Sequence, residues 1–176
     1  MLRLLVALYS LGALAAAPRT LPRIKVSADH RFLVEESGKP FFYLADTGWE
    51  IFHRLDRKDA AEYLKIRASQ GYNVVQAVAL AEFDGLTEPN AYGKLPLEGK
   101  DPTKPAITPG ANPAKPDQYD YWDHVDDVID RANARGLYIG LLPTWGRYWH
   151  DQVKDGMLAQ FAYCVAGAVV HGKIGG

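Results

Sequence analysis

Three apolar stretches recur along the chain, and polar and aromatic residues follow each of them directly. The stretches cover residues 41–45, 72–80 and 137–142. Apolar runs of this length that do not alternate with polar residues predict strands buried on both faces, as in parallel sheets. Because open sheets and barrels keep their binding sites at the carboxyl ends of such strands, the residues after each run are candidates for function, and we expect Asp46, Glu82 and Trp145 to cluster at one end of the sheet.

Segments with helical periodicity separate the predicted strands. Asp56 is a suitable N-cap for a helix that ends at Gly71, and a second helix covers residues 119–135 before Gly136. The apolar residues of this second helix recur at three- and four-residue spacing, and its acidic residues form a solvated face. Strands that alternate with amphipathic helices predict an α/β fold with right-handed, parallel connections.

A small β-hairpin is predicted before the first buried strand. Two short segments, 24–26 and 31–34, have the character of strands, and residues 36–39 form a turn. Gly38 in this turn tolerates a positive φ angle. The hairpin is expected to cover one end of the core, and it carries no residues that suggest chemistry.

A long connection rich in proline and glycine covers residues 82–118. Connections of more than about 15 residues without structure of their own are uncommon, and they are usually functional or disordered. Ordered apolar anchors such as Phe83, Tyr92 and Leu95 favour a structured binding loop over a linker.

Two architectures contain alternating strands and helices of this kind. A doubly wound sheet is possible, but no glycine-rich phosphate loop follows any strand, so nucleotide binding has no support. A (β/α)8 TIM barrel fits better, although such a barrel needs roughly 200–250 residues. The chain has 176 residues and about three or four strands. The sequence therefore predicts the N-terminal part of a TIM barrel, which is incomplete and is preceded by the hairpin.

The N-terminus has the pattern of a secretory signal peptide. Arg3 supplies a basic start, and the apolar run of residues 4–14 is shorter than the roughly 18–20 residues of a membrane span. A buried N-terminal helix or a membrane anchor is the alternative interpretation. The signal peptide predicts a secreted or periplasmic protein without membrane association after the signal is removed.

Four segments describe the expected organisation. They are the signal peptide (1–17), a linker with the hairpin (18–39), the first βα units of the barrel (40–156) and an atypical C-terminal tail (157–176). The tail is apolar without a clear period, and it ends in a glycine-rich stretch. We interpret it as a truncated or frame-shifted end, with an ordinary terminal helix as the alternative.

Composition and charge limit the kinds of ligand and partner that the chain is predicted to bind. The formal net charge is −1, which predicts no nucleic-acid partner. Cys164 is the one cysteine of the chain, so an internal disulfide and a cysteine-based zinc cluster are excluded. His53 and His150 each lack a second ligand at helical spacing, so we expect them at the surface and predict no metal and no cofactor.

Several motifs together resemble one protein family. The motifs are PFFYLADTGWEIFHRL (40–55), YLKIRASQGYNVVQAVALAEFDGLTEPNAYGKLPL (63–97) and YWDHVDDVIDRANARGLYIGLLPTWG (121–146). In order and approximate spacing, they resemble the apiosidase-like glycoside hydrolases over residues 26–150. The family was once a domain of unknown function, and it is often followed by a putative collagen-binding domain.

The resemblance implies a (β/α)8 barrel with its site at the C-terminal mouth. Members of the family act outside the cytoplasm on pectic side chains and release branched sugars such as apiose, which implies a carbohydrate substrate. The positions that match the family's sugar pocket are Asp46, Trp49, Glu82, Asn90 and Trp145. The family's catalytic carboxylates are expected on later strands, so no catalytic residue is assigned here.

The chain is accordingly interpreted as a truncated, secreted glycoside hydrolase that is inactive as this fragment. It would derive from enzymes acting on pectic or other plant polysaccharide side chains. A non-catalytic carbohydrate-binding fragment and a small α/β domain of unrelated function are the alternatives.

The sequence leaves further roles open for the same residues. Glycoside hydrolysis needs two carboxyl groups, and Asp46 with Glu82 would be the choice without the family. Asp46 is also a candidate helix N-cap, and Asn90 is a candidate turn residue. Trp49 and Trp145 are suited to stacking on sugar rings or to packing between strand and helix.

Overall fold

A computed structural model describes residues 21–146. The predicted signal peptide (1–17) and C-terminal tail (157–176) lie outside the described residues, and so does His150. The described part contains a two-stranded hairpin and a three-stranded sheet with helices packed on it. Within this part, no helix is both long enough and apolar enough to span a membrane.

The elements follow the order of the chain. They are β1 (Ile24–Val26), β2 (Leu33–Glu35), β3 (Ala45–Thr47), α1 (Ile51–Arg54), α2 (Arg57–Ser69), β4 (Val74–Leu80), α3 (Tyr121–Asn133) and β5 (Tyr138–Thr144). Two short 3-10 turns, Glu98–Lys100 and Pro116–Gln118, lie in the long connection between β4 and α3.

The predicted hairpin is confirmed. Strands β1 and β2 pair antiparallel, with Ile24 opposite Glu35 and Val26 opposite Leu33. The Ser27 hydroxyl oxygen accepts hydrogen bonds from the backbone N–H groups of Arg31 and Phe32, at 3.2 and 3.1 Å, and this stabilises the loop between the strands.

The larger sheet is parallel and has the order β3-β4-β5. This confirms a mixed α/β fold with parallel strands. In the sequence-adjacent pair β3 and β4, Asp46 lies opposite Val75, and in the pair β4 and β5, Leu80 lies opposite Thr144. The three strands thus run side by side, with their carboxyl ends at the same edge of the sheet.

Helix α2 begins at the predicted cap Asp56, whereas α3 begins two residues later than predicted, after the cap Asp120. The Asp56 carboxylate accepts hydrogen bonds from the first-turn N–H groups of α2. Asp120 and Asp123 form a capping box at the start of α3. The apolar faces of the helices cover one face of the sheet, and the resulting core contains Phe52, Leu64, Val75, Ala77, Ala79, Trp122, Val125 and Val128.

The first predicted strand differs from the observed one. The apolar run 41–45 predicts a buried strand, but β3 covers only Ala45–Thr47, and Phe42 is 77% exposed. The Asn73 side chain explains the difference, because its Nδ2 donates to the Phe42 carbonyl and its Oδ1 accepts from the Leu44 N–H. The Leu44 carbonyl oxygen accepts from the backbone N–H groups of Asn73 and Val74, but the Asn73 side chain takes up the neighbouring backbone groups, so regular strand pairing begins only at Ala45.

Strand β5 also departs from the prediction. It occupies the expected position, but residues 138–143 are half-buried rather than buried on both faces. Among the described residues, β5 is an edge strand of the sheet, and the helices cover only one of its faces. Phe41 partly covers the other face by packing edge-on against Tyr138, with ring centroids 5.3 Å apart.

A buried histidine connects α3 to the segment before α2. His124 is fully buried, and its Nε2 lies 2.9 Å from the Leu55 carbonyl oxygen, which can only accept a hydrogen bond. Nε2 therefore carries the proton, and Nδ1 accepts from the Tyr119 hydroxyl at 3.2 Å. Burial lowers the pKa of His124 and outweighs the opposing effects of the Leu55 hydrogen bond and the Asp127 charge.

We expect His124 to make the fold sensitive to acid. The stability that depends on neutral His124 is complete above the unfolded pKa of about 6.5, and it is lost as the pH falls through the lower folded pKa. In that range the free energy of unfolding should fall by up to about 1.4 kcal/mol per pH unit. Urea unfolding of wild type and His124→Gln at pH 8 and pH 5 measures the effect, and equal pH dependence in both would contradict it.

Candidate functional site

Two tryptophans meet beyond the carboxyl ends of the outer strands. Trp49 follows β3, and its carbonyl oxygen accepts from the Val78 N–H at 3.1 Å, which keeps this segment alongside β4. Trp145 follows β5 and is 50% exposed. The two rings pack edge to face, with centroids 5.1 Å apart and an interplanar angle of 81°. An exposed indole face is therefore available at this edge of the sheet.

Glu82 approaches the same edge from the central strand. It lies two residues beyond the end of β4, and its carboxylate lies against Gly146, so that a Cβ atom at position 146 would overlap it. Gly146 also has a φ angle of +56°, which L residues rarely adopt. Two independent constraints thus favour glycine next to Trp145. We call Trp49, Glu82 and Trp145 the tryptophan cluster.

The tryptophan cluster has the chemistry of a sugar-binding surface. An indole ring offers a flat apolar face to the C–H groups of a sugar ring. A carboxylate accepts hydrogen bonds from neighbouring hydroxyl groups. Of the three residues expected to cluster, the fold brings Glu82 and Trp145 to one edge of the sheet, together with Trp49.

Asp46 lies elsewhere, which corrects the expectation that it clusters with Glu82 and Trp145. Its carboxylate accepts from the Tyr63 hydroxyl at 2.6 Å and pairs with Arg67, and both partners are on α2. Asp46 pairs with Val75. Five further residues of β4, or about 17 Å of strand, separate this position from the carboxyl end of β4. The structure therefore places it on the helix-facing side of the sheet.

The electrostatics of Asp46 fit this structural position. Burial alone would raise its pKa, but hydrogen bonds from the Tyr63 hydroxyl, the Thr47 backbone and Arg67 lower it below the ordinary value. Burial and the Asp46 hydrogen bond raise the pKa of Tyr63 to about 12. Asp46 is thus an ionised anchor between β3 and α2.

Asn90 organises a tight turn in the long connection. It is 5% exposed, and its Oδ1 accepts from the N–H groups of Tyr92 and Lys94, at 3.0 and 3.1 Å. Its Nδ2 is buried without a partner among the described residues. The turn interpretation of Asn90 therefore matches the geometry, and the sugar-binding role stays a prediction.

His53 is expected at the surface from its sequence context, but it is only 6% exposed. Its Nε2 lies 3.0 Å from the Glu88 carbonyl oxygen, and its Nδ1 lies 3.4 Å from Glu50. The reason is that α1 is buried at Ile51 and Phe52, and the long connection passes over His53 at Glu88. His53 lines an open cleft of about 440 Å³ together with Arg54, Phe83, Asp84, Glu88, Pro89, Asn90 and Ala91.

Two features of this region have no signal in the residue pattern. Burial of His53 depends on the path of the long connection, which hydrophobic periodicity does not predict. Gly146 stands in an ordinary turn context, and its contact with Glu82 is visible only in three dimensions. Among residues 21–146, no group of three or more His, Cys, Asp or Glu side chains is placed to hold a metal ion.

Solved structures with the same arrangement of elements are glycoside hydrolases. One, described as a glycoside hydrolase, is 32% identical, with a TM-score of 0.63 over 85% of this chain and 31% of its own. A second, a glycoside hydrolase family 5 protein from Bacteroides vulgatus ATCC 8482, is 35% identical, with a TM-score of 0.55 over 73% of this chain and 27% of its own. The chain thus spans less than a third of the length of these relatives. No curated protein matches it.

The fold and these neighbours define a glycoside hydrolase type of protein. The family model described as "Apiosidase-like, catalytic domain" matches residues 27–168, which is most of the chain. The chain therefore belongs to the apiosidase-like family, as its motifs indicated. The family match also excludes the alternative that the chain is a small α/β domain of unrelated function.

Proposed function

We propose that the chain forms the N-terminal part of a secreted apiosidase-like (β/α)8 barrel, and that it binds the side chains of pectic or other plant polysaccharides. The observation that carries this proposal is the tryptophan cluster at the carboxyl edge of a parallel sheet, in a chain of this family. The parallel order of β3, β4 and β5, with helices on one face, supports the barrel.

The proposed role of the chain on its own is binding rather than hydrolysis. Glycoside hydrolysis generally needs two carboxyl groups about 5 to 9.5 Å apart across the bond. Glu82 lies beyond the carboxyl end of β4, whereas Asp46 is level with Val75, about 17 Å of strand before that end, and forms an ion pair with Arg67. This favours a carbohydrate-binding function, the alternative that the sequence left open, for the isolated chain.

Secretion is part of the same proposal. The basic start and short apolar run of residues 1–17 support export. Fusing residues 1–22 to a reporter that is active only outside the cytoplasm tests export, and Leu5→Arg in the apolar run should abolish the reporter signal.

Trp145→Ala is expected to weaken sugar binding by up to roughly tenfold, because it removes an exposed indole ring whose contact is worth about 0.5–1.5 kcal/mol. Isothermal titration with a neutral side-chain oligosaccharide released from pectin measures the change. Phe32→Ala is the matched control, since Phe32 is 51% exposed on the hairpin, away from the tryptophan cluster. Equal affinity of wild type and Trp145→Ala, or an equal loss in Phe32→Ala, would contradict the assignment.

A further inference from the structure

A second surface lies on the helical layer. Arg57 on α2 contacts Asp127 on α3, with Nη2 2.9 Å from Oδ1, so the two helices lie side by side. An open groove of about 650 Å³ runs between them, and none of its lining residues belongs to the tryptophan cluster. The cationic residues of this groove, which we call the basic groove, are Arg57, Lys58, Lys65, Arg131 and Arg135.

Positive charge exceeds negative charge in the basic groove. Two acidic side chains, Asp59 and Glu62, line it beside the five cations, and Glu62 forms a salt bridge with Lys65. Asp127 pairs with both Arg57 and Arg131 and holds them at the groove. Within residues 21–146, neither Lys58 nor Arg135 forms a salt bridge. The net charge of −1 for the whole chain therefore conceals a locally cationic surface.

The cations are spaced along the groove rather than gathered at one point. Lys58 and Lys65 are seven residues apart on α2, or about 10 Å along its axis. Arg131 and Arg135 occupy the last turn of α3 and the residues after it. A row of separated cations suits a ligand that carries negative groups at intervals, and it is a poor match for a single compact anion.

We propose that the basic groove binds an anionic polysaccharide, in which carboxylate groups recur along a chain of uronic acid residues. The carbohydrate class rests on the proposed function, and the charge and spacing come from the groove itself. Such binding would tether the chain to a charged polymer while the tryptophan cluster contacts neutral sugars. Another polyanion, such as a nucleic acid, is an outcome of the test.

Affinity electrophoresis of the purified chain through gels that contain polygalacturonate tests the proposal. We expect retardation at low salt that disappears at about 0.5 M NaCl, because exposed charges are screened there. The double variant Lys58→Glu/Lys65→Glu should bind roughly tenfold more weakly. Lys25→Glu/Lys39→Glu on the hairpin makes the same change in net charge and should bind like wild type.

Each other result would overturn the proposal. These results are no retardation of wild type, an equal loss in both double variants, and equal or tighter binding of duplex DNA. A neutral galactan gel separates the basic groove from the tryptophan cluster. Trp145→Ala should keep its affinity for polygalacturonate. A failure of the sugar-binding proposal can therefore be told apart from a failure of the basic-groove proposal.

Discussion

Trp122→Ala is expected to lower the free energy of unfolding by about 3–5 kcal/mol, the usual cost of removing a buried tryptophan. Trp122 is 2% exposed on α3, and its ring packs edge-on against Tyr121, with centroids 5.5 Å apart. Its Nε1 also donates to the Pro96 carbonyl oxygen at 2.9 Å. The side chain therefore joins the helical layer to the long connection, and its loss should loosen both.

Trp122→Phe separates the two contributions. Phenylalanine keeps much of the buried ring but cannot donate to the Pro96 carbonyl, so we expect a loss of about 1–3 kcal/mol. Urea unfolding followed by circular dichroism measures both variants, with Phe83→Ala as an exposed aromatic control. A loss below about 1 kcal/mol for Trp122→Ala would show that the connection does not depend on α3.

The helices were predictable because their signals are local. Asp56 is the N-cap of α2 in the sequence and in the structure, and its side chain bonds within three residues of itself. Strand β4 was predictable for a similar reason, since seven nearly apolar residues have few alternatives to a buried strand. The first strand was not, because its boundary depends on hydrogen bonds from Asn73, about 30 residues further along the chain.

In the candidate site, too, some positions were predictable from the sequence and others were not. The rule that parallel strands end at one edge predicted a cluster of Asp46, Glu82 and Trp145, and it describes the positions of Glu82 and Trp145 in the structure. Asp46 departs from it because the sequence shows where an apolar run ends but not how two strands are offset. Because Asp46 pairs with Val75, five further residues of β4 extend beyond it toward the site.

The last prediction is that the purified 176-residue chain does not hydrolyse glycosides. In the proposed function, Glu82 belongs to a sugar-binding surface, while Asp46 is bound by Tyr63 and Arg67 on the helix-facing side of the sheet. A proton donor and a nucleophile must both be positioned across the bond. Positioning alone is worth about 7–11 kcal/mol of the barrier, so its loss should reduce turnover to background.

Release of apiose or a reporter aglycone from a branched pectic substrate measures this activity, with an active glycoside hydrolase as the positive control. Background turnover in wild type, combined with retained sugar binding, is the expected result. Turnover that is lost in Glu82→Gln but kept in Asp46→Asn would place a catalytic carboxylate in the tryptophan cluster. Loss in both variants would instead require Asp46 on β3 to leave Arg67 and move to the site, because the observed ion pair holds it against α2.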